Sequence, residues 1–195
     1  MKQEIMNRAK RFLAIIAVLL IVVCAGCITS PPSPSPSPAP APHPNATEIA
    51  PAEILGMDKM VVSTGADALQ QVRQSHSGNI ENIEDLAIIH YYGKNDRFLT
   101  LWTTLYQNKT IAKSETEKMV IGIRNFGGDW ASTLEETTID GMTVYKIAPD
   151  DQPQYFWVDD NWVFYIVPHN VTPDEIPQII EAIRDQSEQN RNREP

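Results

Sequence analysis

Between residues 49 and 187 the apolar positions recur with two periods, and the change from one to the other divides the sequence into strands and helices. Residues 86–92 read as a strand, Gly93-Lys94-Asn95-Asp96 as its turn, and residues 97–106 as the returning strand. Asp140-Gly141, a strong two-residue hairpin signal, separates strands at 134–139 and 142–147. Asp159-Asp160-Asn161 does the same between 155–158 and 162–167. Helical spacing takes over at 66–76, where Leu69, Val72 and His76 share a face behind a capping Thr64. It returns at 115–124, with Met119, Val120 and Ile123, and Asn125-Phe126-Gly127-Gly128 stops it. Thr172-Pro173-Asp174-Glu175 spells a capping box with proline at the first helical position, and Ile176, Ile179, Ile180 and Ile183 follow as a buried stripe.

These elements predict an α+β fold, with one antiparallel sheet of about six strands and two or three helices packed on one face. Residues 86–124 and 155–184 share a strand, turn, strand, helix order and end alike in Val120-Ile121-Gly122-Ile123-Arg124 and Ile179-Ile180-Glu181-Ala182-Ile183-Arg184. They read as two hairpin-helix repeats.

The chain before residue 49 has a different character. Lys2, Arg8, Lys10 and Arg11 outnumber Glu4 in the first eleven residues, and residues 12–23 are uninterrupted apolar sequence. That is a membrane-targeting segment, short for a spanning helix, which needs about 20 apolar residues. Its end, Val23-Cys24-Ala25-Gly26-Cys27, resembles the lipobox of prokaryotic lipoproteins. The resemblance implies cleavage before Cys27 and lipidation of its thiol. Lipid on Cys27, or the signal segment itself if uncleaved, then anchors the chain. The positive charges precede the apolar run, so the rest of the chain is expected on the extracytoplasmic face of the cell membrane. Residues 29–44 alternate proline with serine or alanine and read as a polyproline-like stalk rising about 3.1 Å per residue.

Asn45-Ala46-Thr47 and Asn108-Lys109-Thr110 match the N-glycosylation pattern, and Asn170-Val171-Thr172 matches it more weakly because Pro173 follows. Together the lipobox, the stalk and the acidic domain resemble surface lipoproteins of archaea, methanogens in particular. The expected organisation is a signal peptide at 1–26, the lipidated cysteine and stalk at 27–48, a single domain at 49–187 and a flexible tail at 188–195.

Charge and composition narrow the function. The chain carries −9; four of its 16 basic residues and one of its 25 acidic ones precede Cys27, so the processed chain would carry −12. That argues against nucleic acid and against adhesion to anionic lipid through a basic patch. Both cysteines, Cys24 and Cys27, lie in the targeting segment, leaving the domain without a disulfide or a thiol nucleophile. The sequence holds no phosphate loop, no Gly-x-Ser-x-Gly, no His-Glu-x-x-His and no spaced calcium ligands. His90 reads as a strand residue, and His169 beside Asp150, Asp151, Asp159 or Asp160 is the best metal constellation, though turn geometry already accounts for those aspartates. Neither a metal nor a cofactor is expected.

Aromatic residues are the unusual signal, gathered at 91–106 and 155–165. A sheet covered on one face could present the other as an aromatic platform for a sugar, a peptide or an apolar ligand. Trp102, Tyr155, Trp157 and Trp162 are the candidate contact residues. The expected function is a non-catalytic binding or scaffolding domain for an unidentified surface ligand or protein. A lipid carrier or envelope sensor with an apolar cavity, and a cell-wall or peptide hydrolase, are the alternatives.

Overall fold

A computed structural model describes residues 45–75 and 80–192. The chain divides into two compact units, residues 1–40 and residues 41–195, and everything described belongs to the second. Cys27, the targeting segment, the stalk and His76 lie outside the described residues.

In chain order the elements are β1 (Glu53–Ile54), β2 (Met57–Thr64), α1 (Gly65–Ser75), β3 (Ile83–Tyr92), β4 (Phe98–Tyr106), α2 (Lys109–Phe126), α3 (Asp129–Thr133), β5 (Glu135–Ile139), β6 (Met142–Ile147), β7 (Gln154–Asp159), β8 (Trp162–His169) and α4 (Ile176–Arg191). The α+β class holds, with one antiparallel sheet of eight strands in the order β1-β2-β3-β4-β8-β7-β6-β5. Local turn chemistry builds its hairpins. Asp140 and Gly141 take φ of 47° and 78° between β5 and β6, Asp160 takes 55° between β7 and β8, and Asn95 and Asp96 take 58° and 55° between β3 and β4. These are the residues that tolerate left-handed backbone.

Period-two alternation assigns each strand residue a face. Ala87, Ile89 and Tyr91 of β3, Leu99 and Leu101 of β4, Tyr155 and Trp157 of β7, and Trp162, Phe164 and Ile166 of β8 make the main core with Ile176, Ile179, Ile180 and Ile183 of α4. The alternate residues meet the other three helices: Leu86 and Ile88 pack on α1, Phe156 and Ile147 on α2, with Leu134 beside them. Three helices thus share one face, and α4 takes the other.

The two strands beyond the expected six are β1 and β2. Of β2, only Met57 and Ser63 are buried, and Met60, Val61 and Val62 are apolar yet exposed at an edge. A register shift between Val61 and Ser63 breaks the alternation further, so no period marked this segment as a strand. Helix α2 begins six residues before the predicted start, because Asn108 caps it by accepting from the Ile111 N–H at 3.0 Å.

The domain also reaches past both expected boundaries. Ala46, Ile49 and Ala50 are buried in the main core. Ala46 N–H donates to Asp85 at 2.8 Å, and the Lys59 ammonium donates to the Thr47 and Ala50 carbonyls at 3.0 and 2.8 Å. At the other end α4 runs on through Arg191, where the tail was expected from 188. Arg191 bonds Asp159 at 3.0 Å and Asn190 donates to the Glu48 carbonyl at 2.5 Å. Polar contacts rather than apolar periodicity hold this last turn, which is why the pattern fell silent.

The repeat survives in topology and fails in packing. Each half is a four-strand meander followed by a helix, and the halves meet at β4 and β8. A two-fold axis normal to the sheet would put α2 and α4 on the same face; they lie on opposite ones.

Candidate functional site

Helix α2 turns Ala112, Thr116, Val120 and Ile123 inward, a spacing of three and four residues that keeps one stripe against the sheet. Val120 and Ile123 meet Ile147 and Phe156, while Ala112 meets Tyr106 and Val163. Helix α1 instead rests Ala68 and Val72 on Leu86 and Ile88 of β3. The two helices cover different strands of the same face, and among the described residues no helix lies above the floor between them. The gap is a cleft of about 680 Å³, inside the roughly 300–1,000 Å³ typical of small-molecule sites. Val72 stands on one wall, Met119, Ile123 and Phe126 on the other, and Trp130 of α3 closes a corner. Trp102, Thr104, Val163 and Tyr165 make the floor.

The floor belongs to a row of rings that crosses four strands. Register pairs Trp102 with Tyr165, Tyr165 with Phe156, and Phe156 with Tyr145. Neighbouring rings stack: 5.1 Å and 26° for Trp102 and Tyr165, 6.2 Å and 18° for Tyr165 and Phe156, 5.1 Å and 21° for Phe156 and Tyr145. Stacked side chains standing on a sheet spend their faces on each other and turn their edges toward the cleft. A pyranose packs on a ring face, so this floor is poorly suited to a sugar. Ring edges and aliphatic walls suit a hydrocarbon.

Glu115, Lys118, Thr116, Gln154 and Tyr165 of the cleft lining have their side-chain polar groups engaged. The Glu115 carboxylate accepts from Lys118 at 2.8 Å and from Asn82 at 3.3 Å, and that bond holds the Lys118 ammonium above its ordinary pKa. Thr116 gives its hydroxyl to the Ala112 carbonyl at 2.9 Å. The Tyr165 hydroxyl donates to the Gln154 side chain, and burial pushes its phenol up. Burial, with Glu115 adding to it, pushes the Tyr106 phenol up to about 12. These phenols are protonated at neutral pH. Among the described residues no histidine lines the cleft. His90 lies elsewhere on the same face, its Nδ1 3.1 Å from the Tyr92 hydroxyl and its ring 4.8 Å from Phe98, and burial lowers its pKa.

The structure separates the four predicted contact residues. Trp102 is on the cleft floor. Tyr155, Trp157 and Trp162 are corrections: they point to the opposite face and are buried under α4, Trp157 at 0% exposure and Trp162 at 1%. Trp157 stacks on Phe164 at 5.3 Å as part of the core. Alternation placed these rings on two faces, but the covered face is known only from where α4 packs. Tyr165, Phe126 and Trp130 line the cleft and were not among the expected contact residues. Tyr165 could have been found only from the β4 to β8 pairing, which spans more than 60 residues of chain.

Asn45 and Asn108 are both exposed and both act as caps through their carboxamide oxygen. Asn170 is exposed as well, but its amide nitrogen donates to the Asp96 carbonyl at 3.1 Å. Among the described residues no group of three or more histidine, cysteine or carboxylate side chains could hold a metal. Also among the described residues, no helix is long and apolar enough to cross a membrane. His169 is exposed, and Asp159 is bonded to Ser187 at 3.3 Å and to Arg191. Comparison with protein-family models, with curated proteins and with solved structures gives no match.

Proposed function

We propose that this chain is a membrane-anchored extracytoplasmic lipoprotein whose domain binds an elongated apolar ligand without catalysis. The cleft between α1 and α2 carries the reading: it is open, its floor is a row of ring edges, and its titratable groups are already paired or protonated. Of the alternatives, a carrier or sensor of lipid fits these features best, because both need an apolar cavity reachable from solvent. A hydrolase needs a nucleophile beside a base within reach of one substrate position, and Thr104 and Thr116 in the cleft have no such neighbour among the described lining residues.

Displacement of a fluorescent apolar probe, N-phenyl-1-naphthylamine, by a series of straight-chain fatty acids and alcohols tests the reading. Each buried methylene contributes about 0.8 kcal/mol, so affinity should tighten about tenfold for every two carbons until the cleft is full. Failure of the domain to take up the probe, or displacement indifferent to chain length, would sink it. The anchor has its own test: Cys27→Ser should leave the chain unlipidated and at precursor mass, and an unchanged mature mass counts against the lipobox.

A further inference from the structure

We propose that the rim of the cleft formed by Phe126 and Trp130 docks on a phospholipid bilayer, so that the cleft opens onto the lipid that supplies its ligand. This rests on the apolar-ligand reading above. Phe126 is 88% exposed and Trp130 40%, yet both line the cleft. Single exposed apolar residues need no explanation, but two aromatic rings at the mouth of an apolar cleft form a continuous path from its interior to the surface.

A tight corner places them there. The Gly127 N–H closes α2 on the Ile123 carbonyl at 2.8 Å, and a Cβ at Gly127 would stand 2.4 Å from that oxygen. Gly128 then takes φ 56° and ψ −120°, and α3 starts with Trp130 in its first turn. The corner can be built only with glycine at these positions, and it leaves Phe126 and Trp130 on either side of the turn.

The chemistry of the corner fits a bilayer surface. Tryptophan and phenylalanine partition to the boundary between headgroups and acyl chains. Ile121, also on α2, is 55% exposed. Lys113 and Lys118 of α2 are paired with Glu117 and Glu115, and beside the rings exposed Arg124 and Asp129 carry opposite charges, so the rings supply the attraction. The polypeptide joins the domain at Asn45, whose neighbour Ala46 packs on the α4 side of the sheet.

The test uses residues 41–195, the compact unit that contains the whole described core, so that no anchor confuses the result. The domain is floated with vesicles of phosphatidylcholine, some with bromine-labelled acyl chains. It should float, and its tryptophan emission should be quenched by the brominated chains. Phe126→Asp, at a position too exposed to disturb folding, should weaken flotation at least about tenfold. Trp130→Phe should still float but lose most of the bromine-quenchable emission. A domain that stays in the aqueous fraction, or a Phe126→Asp variant that floats as well as the parent, overturns the proposal. Self-association abolished by Phe126→Asp, without flotation, assigns the rim to a second copy and overturns it too. Probe uptake in vesicle-free solution reads the cleft separately. Uptake without flotation refutes docking alone, and flotation without uptake refutes the cleft reading and ligand loading with it.

Discussion

Trp102 and Tyr165 stack at 5.1 Å across β4 and β8, the seam where the two four-stranded halves of the sheet join. The contact fastens the halves together and is also the floor of the cleft, so one pair of rings links the stability of the sheet to its capacity to bind.

Trp102→Ala should therefore act twice. Loss of a half-buried ring should cost about 2 kcal/mol in urea unfolding, below the 3–5 kcal/mol of a fully buried one, and probe affinity should fall about tenfold. Trp157→Phe, in the core on the other face, should lower stability and leave probe affinity unchanged. Equal loss of binding in both variants would show that the cleft is not the binding site.

The four tryptophans should divide cleanly in a quenching experiment. Iodide should reach Trp130 and, in part, Trp102. A Trp102→Phe/Trp130→Phe double variant retains only Trp157 and Trp162, whose emission should be blue-shifted and insensitive to iodide. Accessible emission from that variant would return the rings under α4 to the surface.

Alkaline pH should unfold the domain. Burial pushes the phenols of Tyr91 and Tyr165 up, and burial with Glu115 pushes that of Tyr106 up to about 12. Tyr91 also donates to the Pro51 carbonyl at 2.8 Å. A phenol raised in the folded state binds its proton more tightly there than in the unfolded chain. Its contribution is complete below the ordinary value near 10 and is lost as pH rises through the folded value. For Tyr106 that amounts to roughly 2–3 kcal/mol. Melting temperature should fall steeply between about pH 10 and 12, with phenolate absorbance appearing as the fold is lost. Tyr106→Phe should flatten the slope, and a melting temperature constant across that range would contradict the assignment.

Glycan occupancy, where the host modifies sequons, should distinguish the three asparagines. Asn45 and Asn108 commit their carboxamide oxygens to caps, whereas Asn170 commits its amide nitrogen, the atom a sugar would occupy. Mass spectrometry of the exported chain should find sugar at the first two and none at Asn170. Occupancy at Asn170 alone would reverse the argument.

Much of the fold was legible because its signals are local. The Asp140-Gly141 turn needs only its own two residues to set the hairpin. Glu175 accepts from both the Thr172 N–H and hydroxyl at 2.9 Å, so the start of α4 was written within four residues. β2 was not legible, because an edge strand with one buried apolar residue has no alternation to read. The start of α2 was overlooked for a different reason: Asn108 was read as a sequon and not as a cap, and the inward stripe begins with the small Ala112 and the polar Thr116, which give no strong apolar period.

The sequence by itself determined the class of the fold, the central hairpins and the four isoleucines of α4, since turn chemistry and side-chain period act between near neighbours. It also determined that aromatic residues would crowd the middle of the sheet. Only tertiary structure decided that β4 pairs with β8, that α4 covers Trp157 and Trp162, and that α1 and α2 stand apart over the opposite face. Those outcomes depend on which surfaces meet across dozens of residues, where one strand's alternation offers two equivalent faces and only packing selects between them. The cleft is a product of that selection: the space between two helices is a property of neither.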